Sequence, residues 1–68
     1  MSERVIVSQE VLDGLEAVRR SGASNMLDRP VVTLLAEQMG FTETAEWIRA
    51  NPAEYARGVF RGFEANDE

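Results

Sequence analysis

Sixty-eight residues, 44% of them apolar, with 7 Arg against 12 Asp or Glu for a net charge of −5, describe one small domain with room for a single core and a single binding face. Cys, His and Lys are all missing, which removes disulfides, thiolate and imidazole metal ligands, Cys or His nucleophiles and bases, Schiff-base chemistry and the phosphate-loop lysine. Carboxylates, hydroxyls and arginine form the whole reactive inventory, so neither a cofactor nor a metal is expected, and catalysis is not.

A chain of this length buries only about 60% of the surface it exposes when unfolded, which bounds its stability at roughly 3–10 kcal/mol. The negative charge is spread evenly and no segment gathers the basic patch that a phosphate backbone requires, which argues against nucleic acid as a direct partner. The opening Met1-Ser2-Glu3-Arg4-Val5-Ile6-Val7-Ser8 has an apolar run too short for a signal peptide or for the roughly 20 residues that span a membrane, so a cytoplasmic protein is expected. That every cation is Arg fits a GC-rich genome or a salt-adapted host, or selection for bidentate pairing.

Val5-Ile6-Val7 is the one β-like run. It reads as an arm packed on the helices, or as a strand pairing with the edge of a partner or a second copy. The first helix is predicted from about Gln9 to Arg20, with Ser8 as N-cap, Val11, Leu12, Leu15 and Val18 at helical spacing, and Arg19 and Arg20 complementing the C-terminal dipole before Ser21-Gly22. Gly14 costs about 1 kcal/mol inside it.

In the following loop Met26 reads either as an adaptable exposed contact or as a lid on the core, and Asn25 is expected to fix the turn through backbone hydrogen bonds. A second helix is predicted after Asp28, with Pro30 in its first turn, an apolar stripe of Val32, Leu35, Ala36 and Met39, and Gly40 as a left-handed stop. Phe41 then packs back onto the last turn. Thr42 caps a third helix, Glu43 to Ala50, with Ala45 and Ile48 inward and Trp47 nearby. Asn51-Pro52-Ala53-Glu54 supplies an N-cap, a first-turn proline and a capping-box Glu for a fourth helix, whose Tyr55, Ala56, Val59, Phe60 and Phe63 read as the centre of the core. On that placement Phe60→Ala costs about 3–5 kcal/mol. Gly58 and Gly62, one turn apart, permit a close helix approach or mark a weak end. The expected fold is therefore all-α: an N-terminal arm over residues 1–7, a helical core over 8–63 and an acidic tail over 64–68.

Trp47 and Tyr55 flank the Asn51-Pro52 junction with Arg49 and Arg57 in reach, and aromatics with Arg are the usual anchors of interfaces; the alternative is that both rings complete the core with polar tips at its edge. Trp47, Tyr55, Arg49, Arg57 and Met26 are thus the candidate protein-binding residues. The carboxylate pairs Asp13/Glu16 and Glu43/Glu46 each share a helical face but have no His to complete a site, and read as solvated charge. Ala36 and Gly40 suit a helix-turn-helix, yet Glu46 stands where a branched apolar residue belongs, and Glu43 and Glu46 would face a phosphate-lined groove. Met39-Gly40-Phe41 resembles the first loop of ubiquitin-associated domains, although the interval from Phe41 to Asn51 is shorter than that family's middle helix and loop.

Leu15-Glu16-Ala17-Val18-Arg19 leading to Ser21-Gly22, then Asn25-Met26-Leu27-Asp28, Met39-Gly40-Phe41, Trp47-Ile48 and Glu54-Tyr55 together resemble a family of short proteins, a domain of unknown function, found largely in phages, prophages and mobile elements. The resemblance covers about residues 12 to 63, departing at Leu27, where an aromatic is common, and in the longer Gly58-to-Phe63 ending. It implies an accessory product of a mobile element and carries no site residues. The reading is a non-enzymatic module with a protein partner, a homodimer staying open and no membrane contact. Its alternatives are a helix-turn-helix-like DNA-binding regulator and an acidic inhibitor of a host nucleic-acid-binding or defence protein, in which Glu37, Glu43, Glu46 and Glu54 imitate phosphates.

Overall fold

The computed structural model describes residues 4–66, in the order β1 (Val5–Val7), α1 (Gln9–Ser21), α2 (Arg29–Gln38), α3 (Thr42–Ala50), α4 (Pro52–Arg61) and β2 (Phe63–Ala65). Ser8 decides where β1 stops and α1 starts: extended at ψ 161°, its hydroxyl accepts the Val11 N–H at 3.2 Å. At the other end Gly22, at φ +66°, turns the chain left-handed and donates its N–H to the Arg19 carbonyl. The apolar residues of α1 recur so that Val11, Leu15 and Val18 are all buried.

The stop after α2 is a full Schellman turn. Gly40, at φ +89°, donates to the Glu37 carbonyl at 3.0 Å while Phe41 donates to Ala36 at 2.8 Å, and the half-buried Phe41 ring rests on the core as expected. Three caps differ in detail from the sequence reading. Asp28 precedes α2 without a side-chain cap bond, and α3 begins at Thr42 itself, with Phe41 at the cap position. Asn51 serves the helix behind it, its Nδ2 donating to the Trp47 carbonyl at 3.0 Å, and Glu54 pairs with Arg57 instead of closing a capping box.

The helices α1, α2 and α3 pack on one another around Val11, Leu15, Val18, Val32, Ala36, Ala45 and Ile48. Where α1 crosses α3 the backbones come very close, because a Cβ on Gly14 would sit 2.0 Å from Thr44 Oγ1. The buried Thr44 hydroxyl lies within 3.2 Å of the Glu10 carbonyl and 3.3 Å of the Val11 carbonyl, to which it donates. The cost of a glycine in α1 is thus the condition for this crossing.

The all-α expectation needs correction, for two short strands join the ends of the chain. β1 and β2 run parallel with Val5 opposite Phe63, Ile6 opposite Glu64 and Val7 opposite Ala65. Val5–Val7 is therefore no loose arm, and its strand partner belongs to the same chain; Val5 and Val7 point into the core while Ile6 faces out. Glu64 and Ala65 likewise belong to a strand and not to a tail. Met1 to Glu3 and the final Asp67-Glu68 lie outside the described residues.

The placing of α4 at the core's centre is also corrected. It buries Tyr55 and Gly58, leaves Val59 half-buried and exposes Phe60 to 77%; Phe63 lies past the helix, in β2. Phe60 comes five residues after Tyr55 and so about 140° around the helix from it, which turns it away when Tyr55 faces in. Gly58 makes room for the Phe63 ring, whose Cε1 would lie 2.2 Å from an added Cβ, and Gly62, at φ +103°, turns the chain from α4 into β2. Neither glycine brings two helices together.

Candidate binding groove

Tyr55 is a core residue, 1% exposed, whose hydroxyl donates to the Met26 carbonyl, and burial pushes its phenol pKa up to about 12. A surface anchor it is not. Trp47 is half-buried and stands edge-on to the Phe63 ring at a centroid distance of 6.0 Å, and the Tyr55 ring lies tilted 5.9 Å from the same ring. Arg49 is exposed and paired with Glu37, and Arg57 is exposed and paired with Glu54 at 3.0 Å. The five candidates thus do not form one face: Trp47 and Tyr55 meet through Phe63, while the two guanidiniums are held on the surface by carboxylates of their own.

Met26 is half-buried against the core, as a lid would be. The Asn25 side chain accepts the Leu27 N–H at 2.9 Å and its carbonyl accepts the Asp28 N–H at 2.9 Å, which fixes the loop as the sequence suggests and holds Met26 over α1 and α4. Between those two helices runs an open groove of about 410 Å³. Leu12 and Leu15 of α1, Met26, Val59 and Phe63 make its apolar part, while polar atoms supply the larger share of its lining. Exposed Glu16 and Arg19 on one side and Phe60 and Arg61 on the other form its mouth.

Phe60 is the feature that sequence reasoning misplaced and the groove depends on. The signal was available in the helical offset between Tyr55 and Phe60, since the two rings cannot share a narrow buried face. A large aromatic at 77% exposure beside a concavity is a feature found at interfaces. Leu27, in the loop before α2, and Val31 and Leu34 of α2 are also exposed.

The carboxylate pairs lie on the surface. Asp13 accepts from Gln9 Nε2 at 2.8 Å and Glu16 lies 3.5 Å from Arg20. Glu43 comes against Glu10 across the α1–α3 crossing, which raises the Glu10 pKa above its ordinary value through their shared hydrogen bond and like charge, and Ser8 Oγ donates to Glu43 at 3.4 Å. Among the described residues no three acidic side chains gather as a metal site would need. α2, the turn Met39–Phe41 and α3 have the connectivity of a helix-turn-helix, but the exposed side of α3 carries Glu43 and Glu46, with Arg49 drawn to Glu37. Two of the four supposed phosphate mimics, Glu37 and Glu54, are neutralised by neighbouring arginines.

The fold is that of a small, mostly helical domain whose ends are clasped by a parallel strand pair and whose α1 and α4 frame an open groove of mixed polarity. The chain belongs to the family described as Domain of unknown function (DUF5049), whose model matches residues 7–62, more than four-fifths of its length. No curated protein and no solved structure matches it. No helix among the described residues is long and apolar enough to cross a membrane.

Proposed function

We propose that this chain is a non-enzymatic protein–protein interaction module, an accessory protein of a phage or mobile element acting in the cytoplasm, and that it engages its partner through the α1–α4 groove with Phe60 as the anchor. The exposed Phe60 ring at the mouth of an open groove carries the reading. Leaving so large an apolar ring in water forgoes about 2 kcal/mol of burial, which a partner's surface restores. The genomic setting rests on the motif resemblance around Asn25-Met26-Leu27-Asp28 and Met39-Gly40-Phe41. The groove shifts the candidate surface away from Trp47 and Tyr55 and keeps Met26, of the residues first singled out.

The test is a tagged pull-down from the native host at low and high salt, run in parallel with wild-type chain and with Phe60→Ser. The expected result is a stoichiometric protein partner retained at high salt by the wild type and lost with Phe60→Ser, because contacts made by an aromatic anchor are screened little. A partner that ignores Phe60→Ser but dissociates steeply with salt would favour the acidic inhibitor. Recovery of duplex DNA alone would favour the helix-turn-helix regulator.

A further inference from the structure

We propose that the outward side of α2 is a self-association surface, on which a second copy of the chain packs its own α2 antiparallel. The residues that line the α1–α4 groove come from other elements, so this face is independent of the groove. Six large apolar residues are exposed among the described residues, and four of them, Leu27, Val31, Leu34 and Met39, fall in α2 or at its two ends. Val32, Thr33 and Ala36 are buried, so Val31, Leu34 and Gln38, spaced three and four apart, share the opposite side of the helix. From Pro30 to Ala36 there is no charge at all, in a chain whose residues are 28% charged. A helix that is apolar on both sides belongs between two layers, and within this chain α1 and α3 cover only its inner side.

The order of residues along α2 selects a second copy as the occupant. In a two-fold symmetric contact residue i meets j and j meets i. Reflected about Thr33, Leu27 falls opposite Met39, Arg29 opposite Glu37 and Val31 opposite Leu35. Two antiparallel copies therefore match apolar with apolar, and bring a guanidinium and a carboxylate together at each end of the contact. Both groups are available for this. Glu37 is exposed and gives only Oε2 to Arg49, and Arg29 has no ion pair among the described residues. Two chains of −5 repel one another, and a strip without charge is where they meet at least cost. A nucleic acid finds no cation on that strip, and an unrelated protein would require no such reflection in α2.

A contact built on one helix of ten residues, about 15 Å long, belongs to the small class below about 1,200 Å² of total buried surface, and the dimer is expected to be weak and exchanging. Sedimentation equilibrium on the full chain from about 10 μM to about 1 mM spans that range. A monomer–dimer equilibrium is expected, with concentration-dependent amide shifts centred on Val31, Leu34 and Gln38. Leu34→Glu, shown to be folded by a melt like the wild type's, is expected to raise the dissociation constant about tenfold or more. Arg29→Glu is expected to weaken the dimer, and the double variant Arg29→Glu with Glu37→Arg to restore it, while Phe60→Ser leaves it unchanged. A chain that stays monomeric throughout, with no amide shifts in α2, would overturn the proposal. So would self-association that ignores Leu34→Glu and is lost with Phe60→Ser, which would move the second copy to the groove. Failure of the charge swap to restore what Arg29→Glu loses would overturn the antiparallel register.

Discussion

Tyr55 gives the molecule its one alkaline switch. Its buried hydroxyl is neutral when it donates to the Met26 carbonyl, and its pKa rises to about 12 from an ordinary 10.0. Below pH 10 both folded and unfolded chains keep the proton and the contribution is whole. Between pH 10 and 12 the unfolded chain ionises while the folded one does not, so the unfolded state gains and stability falls by about 2–3 kcal/mol in total. The chain has no Lys, Cys or His and only one Tyr, so no other side chain titrates across that window. Denaturant melts at steps from pH 8 to 12 are expected to show this decline, and Tyr55→Phe, less stable by about 1–2 kcal/mol at neutral pH through the lost hydrogen bond, is expected to be flat. Phe60 behaves in the opposite way. Exposed to 77%, it supports little of the fold, and Phe60→Ala is expected to change stability by no more than about 0.5 kcal/mol in the same melts, in place of the 3–5 kcal/mol that a core position would give.

The crossing of α1 and α3 depends on an element of backbone contact that helix propensity opposes. Alanine is a better helix former than glycine by about 1 kcal/mol, but a Cβ at position 14 would meet Thr44 Oγ1 at 2.0 Å and Phe41 Cβ at 2.9 Å. Gly14→Ala is therefore expected to destabilise by about 1–3 kcal/mol net of any propensity gain, measured as a lowered denaturation midpoint with an unchanged slope. Helix existence and order were legible in the sequence because several boundaries are set by local chemistry: the Ser8 hydroxyl, the left-handed Gly22 and Gly40, and the prolines 30 and 52 near two helix starts. What was not legible is which face of α4 turns inward. The helix has apolar residues on more than one side, and the choice of Tyr55 over Phe60 is made by the tertiary placing of Met26 and Phe63, which no local pattern records. The candidate site suffered accordingly: Met26 lines the groove, while Tyr55 proved to be core and Phe60 proved to be surface.

At the scale of the whole molecule the chain is closed by contacts between its two ends. A three-residue strand has no periodicity of its own to announce it, and the partner of Val5 is Phe63, almost the full chain away, so the sequence showed an apolar run without showing where it pairs. Closure of this kind ties β1, β2 and α4 together through direct contacts. Val5 donates its N–H to the Gly62 carbonyl at 3.0 Å, Asn66 donates to Val7 at 2.7 Å, and the Phe63 ring fills the space left by Gly58 between Trp47 and Tyr55. Phe63→Ala removes the ring that packs against Gly58, Trp47 and Tyr55 and opens a cavity beside two aromatics, at a cost of about 2–4 kcal/mol, discounted from full burial because Phe63 is half-buried. In a domain of this size that is a large fraction of the total. The variant is expected to lose hydrogen-exchange protection first at Val5 and Val7, with a changed Trp47 fluorescence, while the amides of α1, α2 and α3 keep theirs. Uniform loss of protection across all four helices would mean instead that the strand clasp and the three-helix core unfold as one, and that the ends of the chain hold the whole domain together.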